Sequence, residues 1–190
     1  MSKDTKKYLI TAVTLGLIAA GGALLIAGTN MLTRDSIKAN EVKAINSGLA
    51  SIYEDNSLTT STDKILEEQK SDYVLYDYVI NDYYIVKDGA GLDLGYAFKT
   101  EGSNAYGKIS LIVGFDANYI YKGVAVVENG QSFASTLKKK YLDPLVKDHK
   151  SVDEVDVSCG ATYGAKLTRN MINSAVSAAE YLKGANKNNG

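Results

Sequence analysis

The sequence predicts an α+β (α/β) domain, built on a central, mostly antiparallel sheet with flanking helices, behind one N-terminal transmembrane helix. Three observations predict it. No residue from Tyr8 to Thr33 carries a charge. Between Tyr73 and Val127, short Tyr- and Val-rich runs alternate with Gly-, Asn- and Asp-containing turns, as strands do. From about Lys166 to Lys183, apolar residues recur at the spacing of one helical face. The expected divisions are an N-terminal tip and anchor (1–33), a juxtamembrane helix and loop (34–62), the α+β domain (63–184) and a tail (185–190).

Composition narrows the function before any motif does. With 190 residues, 45% of them hydrophobic, the chain can bury one ordinary core. A formal net charge of -1 offers no basic face, so no nucleic-acid partner is expected. One cysteine excludes an internal disulfide and a cysteine-ligated cluster within the chain. The lone His149 argues equally against a histidine-based metal site, so no metal and no catalytic residue is assigned.

The anchor follows from length. About 20 apolar residues are needed for a helix to cross a hydrocarbon core of about 30 Å, and this run is long enough. A secretory signal peptide competes, but its apolar region is usually about 7 to 15 residues, which favours an uncleaved span. Lys3, Lys6 and Lys7 before the span nearly balance Arg34, Lys38 and Lys43 after it, so charge alone leaves the orientation open. Ala12, Gly16, Ala19, Ala20, Ala23 and Ala27 fall along one flank. That flank suits close packing against other membrane helices, or simply reflects the composition of membrane spans.

After the span, Thr33 or Ser36 can cap a helix carrying Ile37, Val42, Ile45, Leu49 and Ile52, with Asn56–Thr62 as a polar loop. Tyr73–Ile80 and Tyr83–Val86 read as a hairpin turning at Asn81-Asp82. Leu94–Phe98, Lys108–Phe115 and Tyr119–Val127 are further strands, giving a sheet with one well-buried face. Phe133, Leu137 and Tyr141 indicate a short helix ended by Pro144, with Lys138-Lys139-Lys140 as its solvated face. The last helix carries Leu167, Met171, Ala175, Ala178 and Leu182 on one side and stops at Gly184. Most of the 14 tyrosines fall in strands and read as packing residues with a wet tip.

The functional signal is Asp156-Val157-Ser158-Cys159-Gly160-Ala161-Thr162, which ends on a hydroxyl ahead of the last helix. A helix N-terminus presents unpaired N–H groups and a positive dipole end, so a phosphate is stabilised there without a cationic side chain. Gly160 and Ala161 leave the approach to Thr162 bare. No histidine or carboxylate stands directly beside Thr162 in the sequence as its base, so it reads as a residue modified by another enzyme rather than a nucleophile.

This stretch resembles the flavinylation motif of the FMN-binding domain in the G subunit of Rnf complexes and the C subunit of sodium-pumping NADH:quinone oxidoreductases. Asn30-Met31-Leu32-Thr33-Arg34-Asp35-Ser36-Ile37 is similar to that family's signature after the anchor. Gly95-Tyr96-Ala97-Phe98 and Tyr106–Asp116 resemble its paired central strands. The resemblance implies an FMN-binding domain with one FMN esterified to Thr162, and a flavin transferase that attaches it outside the membrane. Asp156 either takes part in that recognition or caps a turn.

The resemblance also implies that Asp156, Ser158, Cys159, Gly160 and Ala161 surround the phosphate, and that Glu128, Asn129 and Gly130 form a loop against the flavin ring. The chain departs from the family in three places. Cys159 stands where a hydroxyl is usual, Glu128-Asn129-Gly130-Gln131 replaces Glu-Thr-Pro-Gly, and Tyr163-Gly164-Ala165 replaces hydroxyl residues. Cys159 reads first as a small buried group and second as a reactive thiol.

By the same resemblance the chain is expected to be a single-pass protein of the cell membrane, N-terminus cytoplasmic and FMN domain extracytoplasmic. It would relay electrons within an Rnf-type ion-translocating ferredoxin:NAD oxidoreductase, beside membrane subunits bearing iron–sulfur and flavin centres. Alone it would be an incomplete enzyme. A stand-alone flavoprotein of extracellular electron transfer, and a surface-anchored binding protein that has lost its flavin, are the alternatives.

Overall fold

The computed structural model describes residues 3–62, 79–148 and 150–188, and the chain divides into two units, Met1–Val42 and Lys43–Gly190. The expected strand segment Tyr73–Tyr78 and His149 lie outside the described residues.

One helix, α1 (Lys3–Tyr53), takes in the whole uncharged run. In the first unit its side chains from Thr5 to Ala39 are exposed, Leu15, Leu17, Ile18, Leu24, Leu25 and Ile26 among them. A contiguous apolar surface of this kind is stable only in apolar surroundings, and the helix is long and apolar enough to cross a membrane. Its hydroxyls agree. Thr11, Thr14 and Thr29 each donate to the carbonyl four residues back, at 3.0, 2.8 and 2.6 Å, so none needs water. Thr33 does the same to Thr29 at 2.9 Å, which corrects its expected role as a cap: the helix does not restart there.

The second unit is an antiparallel sheet in the order β1-β2-β3-β4-β5, with strands Thr59–Thr62, Val79–Lys87, Asp93–Asn104, Gly107–Asp116 and Tyr121–Asn129. The predicted α+β architecture is thus the observed one. Two local expectations are corrected. Asn81-Asp82 is no turn but part of β2, where the register slips between Ile80↔Thr100 and Asp82↔Lys99: the backbone accommodates turn-forming residues with a bulge instead of reversing. The segment expected as loop to Thr62 ends in β1, whose threonine-rich backbone pairs from Thr59↔Lys87 to Thr62↔Tyr84.

Both faces of the sheet are covered, not one. In β4 every residue from Ile109 to Phe115 is buried. Ile109, Leu111, Val113 and Phe115 join one core with α4 (Thr162–Asn188), while Ile112 joins a second core with Ile45, Leu49, Ile52 and Tyr53 at the end of α1. The second contact is close because glycine permits it. A Cβ on Gly114 would lie 2.6 Å from Ile52 Cγ2, and one on Gly48 would lie 2.8 Å from Ala125 Cβ. The Tyr53 hydroxyl fixes the register by reaching the carbonyls of Tyr96 and Phe115, a pair across β3 and β4, at 2.7 and 2.8 Å.

After β5 the chain forms α2 (Ala134–Leu137), a π-helical turn (Lys138–Leu142) and α3 (Asp143–Lys147). Pro144 does not end the helical run. It occupies the first turn of α3, where a missing N–H costs nothing. Leu137, Tyr141, Leu142 and Leu145 are all buried. The last helix, α4, starts earlier and runs further than its apolar stripe suggested, passing through Gly184. All five residues of that stripe are buried, and a buried Leu or Met contributes about 1.5–3 kcal/mol.

Gly114→Val forces β4 against Ile52 and should lower stability by about 1–3 kcal/mol in denaturant titrations of the detergent-solubilised chain. A second expected outcome concerns pH. Glu101 lies 3.3 Å from Lys99 and 3.1 Å from Lys108. Burial alone would raise its pKa, but the Lys108 hydrogen bond and the charges of both lysines outweigh burial and hold it below the usual glutamate value. Its contribution to stability is therefore complete at neutral pH and is lost as the pH falls through the lowered value. Glu101→Gln should flatten that acid limb in melting curves recorded against pH.

Candidate functional site

Thr162 is the first residue of α4, and Ala161 is the residue that leads into it: the Ala165 N–H donates to the Ala161 carbonyl at 2.9 Å, closing the first turn. The N–H groups of this turn have no partner within the helix. Upstream, the Asp156 carboxylate accepts from the Ser158 N–H at 2.8 Å, so of its two expected roles the structure shows the turn cap. Gly160 then takes a left-handed φ of +86°, which swings the chain into the helix and which a side chain would strain. Behind the loop, Arg169 Nη2 donates to the carbonyls of Val152 and Val155 at 2.7 and 3.0 Å, so α4 holds the segment that leads into its own N-terminus.

Thr162 opens onto a cavity of about 230 Å³, lined from three parts of the chain. Gly160, Ala161, Tyr163 and Gly164 accompany Thr162; Tyr106 comes from the β3–β4 turn; Gln131, Phe133 and Leu137 come from the segment after β5. The Tyr106 ring stands 5.9 Å from Phe133 and 5.4 Å from Tyr163, stacked on the latter. Exposures of 38%, 53% and 65% for Tyr106, Phe133 and Tyr163 leave this aromatic wall open to the outside.

The walls are tied to one another. Ser132 donates its N–H and its hydroxyl to the Tyr106 carbonyl, at 2.7 and 3.0 Å. The buried Gln131 amide donates to the Gly107 carbonyl. Gly107 sits at φ +129° with Gly130 so close that a Cβ would lie 2.1 Å from its carbonyl oxygen. Gly164 makes room on the other side, since a Cβ there would lie 2.9 Å from Leu137 and 3.2 Å from the Gln131 amide oxygen. The glycine found in place of a hydroxyl residue thus has a packing reason.

Of the residues singled out in the sequence, the cavity gathers Gly160, Ala161 and Thr162. Asp156, Ser158 and Cys159 shape the loop before it. Cys159 is half-buried against the core that contains Tyr141, as a packing role requires. Glu128, Asn129 and Gly130 do not line the cavity. Because β5 runs on to Asn129, Glu128 and Asn129 stay in register with Ser110 and Ile109, and the Gly130 N–H donates to the Lys108 carbonyl at 2.8 Å. Gln131 is the first residue free to reach inward; Asn129 steadies it by accepting its N–H at 3.3 Å. Sequence reasoning missed Tyr106, Gln131, Phe133, Leu137, Tyr163 and Gly164. The departure at Tyr163-Gly164 was a legible signal; the convergence of the others needed the fold.

Among the described residues, no lining residue is charged or a histidine. A phosphate here would be met by first-turn N–H groups and the helix dipole, and a flat ring by the aromatic faces. The residues present therefore fit a flavin nucleotide attached at Thr162, while among the described residues no group at the cavity would activate the hydroxyl as a nucleophile.

Comparison with known proteins bears on the other end of the chain. Residues 1–52 match the family model for the RnfG N-terminal region. Over these residues the chain is RnfG-like. The match ends one residue before α1 does, so it covers the apolar helix and the part that packs on the sheet. No curated protein matches the chain.

Gly107→Ala should push the Gln131 segment away from the β3–β4 turn and open the cavity. Faster hydrogen exchange at Gln131–Phe133, with α4 unchanged, would register this.

Proposed function

We propose that this chain is the membrane-anchored electron-transfer subunit of an Rnf-type complex, with FMN joined through its phosphate to the Thr162 hydroxyl. The observation that carries the reading is the position of Thr162: first residue of α4, on a cavity whose other lining residues are three aromatics, three small residues, Leu137 and Gln131. Thr162 supplies the point of attachment, and the N–H groups of the first turn meet the phosphate charge. Gly160, Ala161 and Gly164 leave room for it. Tyr106, Phe133 and Tyr163 offer faces for the ring, and Gln131, fixed by the Gly107 carbonyl, supplies the amide at the cavity wall. When bound, the flavin accepts and donates electrons one at a time; the protein fixes where it stands.

A covalent tether has a purpose outside a cell, where a dissociating cofactor would be diluted away. The openness of the aromatic wall suits a carrier that must meet partners. In this reading the N-terminus is cytoplasmic and the sheet domain extracytoplasmic. A flavin transferase performs the attachment, breaking the pyrophosphate bond of FAD so that FMN passes to the Thr162 oxygen and AMP leaves with the proton lost from the hydroxyl, and iron–sulfur and flavin centres on neighbouring subunits are donor and acceptor. The complex as a whole oxidises ferredoxin and reduces NAD while moving ions.

Chain produced together with a flavin transferase should give a fluorescent band on a denaturing gel under ultraviolet light, and Thr162→Ala should abolish it. Tyr106→Ala and Phe133→Ala should keep the band yet shift the visible flavin spectrum of the native protein. A dark wild-type band, with the transferase shown to be active on another substrate, would overturn the reading.

A further inference from the structure

Among the described residues, Gln131 brings the only side-chain amide to the Thr162 cavity, and it is 6% exposed there. Its hydrogen-bonding groups are nearly all engaged. The backbone N–H donates to Asn129 Oδ1 at 3.3 Å, the backbone carbonyl accepts from the Ala134 N–H at 3.0 Å, and the side-chain nitrogen donates to the Gly107 carbonyl. Because a carbonyl only accepts, that last bond fixes which way the amide lies, with its nitrogen toward Gly107 and its oxygen away from it.

The oxygen is left facing the start of α4. A Cβ on Gly164 would lie 3.2 Å from Oε1, so the glycine there keeps this atom open to the cavity. Among the described residues no donor is bonded to it. A buried acceptor without a partner is costly, and one clamped through its own nitrogen cannot turn away to find one. Gly164 belongs to the same helical turn as Thr162, so this acceptor stands beside the unpaired N–H groups of that turn. The cavity therefore asks two things of a ligand at neighbouring positions: an anion for the N–H groups and a hydroxyl for Oε1.

We propose that Gln131 Oε1 accepts a hydrogen bond from a ribityl hydroxyl of the bound flavin, and so positions the ring against Tyr106, Phe133 and Tyr163. The inference rests on the reading of Thr162 as the point of attachment. In FMN the ribityl hydroxyls follow directly after the phosphate and the ring lies beyond them, so a phosphate on Thr162 brings a hydroxyl, and not a ring N–H, to the turn that holds Gly164. A site built to bond a hydroxyl discriminates against ligands that lack it, so the cavity selects a polyol phosphate over a plain phosphate ester. This gives the segment after β5 a role that Glu128, Asn129 and Gly130, held against β4, do not fill.

The test uses the full chain, produced with a flavin transferase and purified in detergent. A structure of the loaded protein should place a ribityl oxygen about 2.7–2.8 Å from Gln131 Oε1. Gln131→Met keeps the length of the side chain and removes the acceptor. It should raise the freely rotating fraction of the tethered flavin, read from fluorescence anisotropy decay, about two- to tenfold, the worth of one hydrogen bond. Intact mass of the same samples reports on Thr162 itself: no FMN there sinks the attachment reading and this inference with it. FMN attached while Oε1 meets only water, a ring N–H or protein overturns this inference alone, even if Gln131→Met loosens the flavin, because a glutamine that merely held the Gly107 turn would give that result. An unchanged rotating fraction in a Gln131→Met chain with an unchanged melting temperature overturns it as well. Should that variant fail to fold, the contact in the loaded wild-type structure decides.

Discussion

The burial of α4 against the sheet is the constraint on which the rest of the domain depends. Leu167, Met171, Ile172, Ala175, Ala178 and Leu182 share one core with Phe98, Ile109, Leu111, Val113 and Phe115. Because a helix is stiff, fixing this face fixes where its first turn stands, and Thr162 is placed by contacts made several turns away. Arg169 extends the same control backward by holding the carbonyls of Val152 and Val155. The hydroxyl proposed to carry the flavin thus sits on a firmly buried helix, while its surroundings come from turns.

Those turns are held by backbone proximity more than by side-chain bulk. Gly107 against Gly130, and Gly164 against Leu137 and Gln131, let three chain segments meet around one small space. The aromatic rings then project outward from a rigid frame. Tyr106 stacks on Tyr163 and leans on Phe133 without any of them being buried. Exposed aromatic side chains over a positively polarised helix start make a surface that attracts a flat anion and leaves its edge accessible.

Legibility in the sequence followed the range of the interactions. The anchor, the α4 stripe and the paired strands β3 and β4 were readable because each is announced by periodicity within one segment. The end of α1 was harder. Its residues Ile45, Leu49 and Ile52 carry a helical period, but the fact that they cover the second face of the sheet rests on Gly114 and Gly48, where a missing side chain is the signal. Asn81-Asp82 misled for a related reason: turn-forming residues also suit a bulge, and only the partner strand decides which forms. At the site, Gly160, Ala161 and Thr162 are contiguous and stood out. Gln131 was overshadowed by Glu128-Asn129-Gly130, because nothing local says that β5 persists to Asn129.

The chemical state of a single hydroxyl decides whether this chain is an electron carrier of the proposed kind. Mass spectrometry of peptides from natively produced protein measures it most directly. The peptide containing Thr162 is expected to carry the mass of an FMN ester, with fragment ions placing it on that residue. Bare peptide throughout, or the added mass on Ser158 or Tyr163, would contradict the assignment.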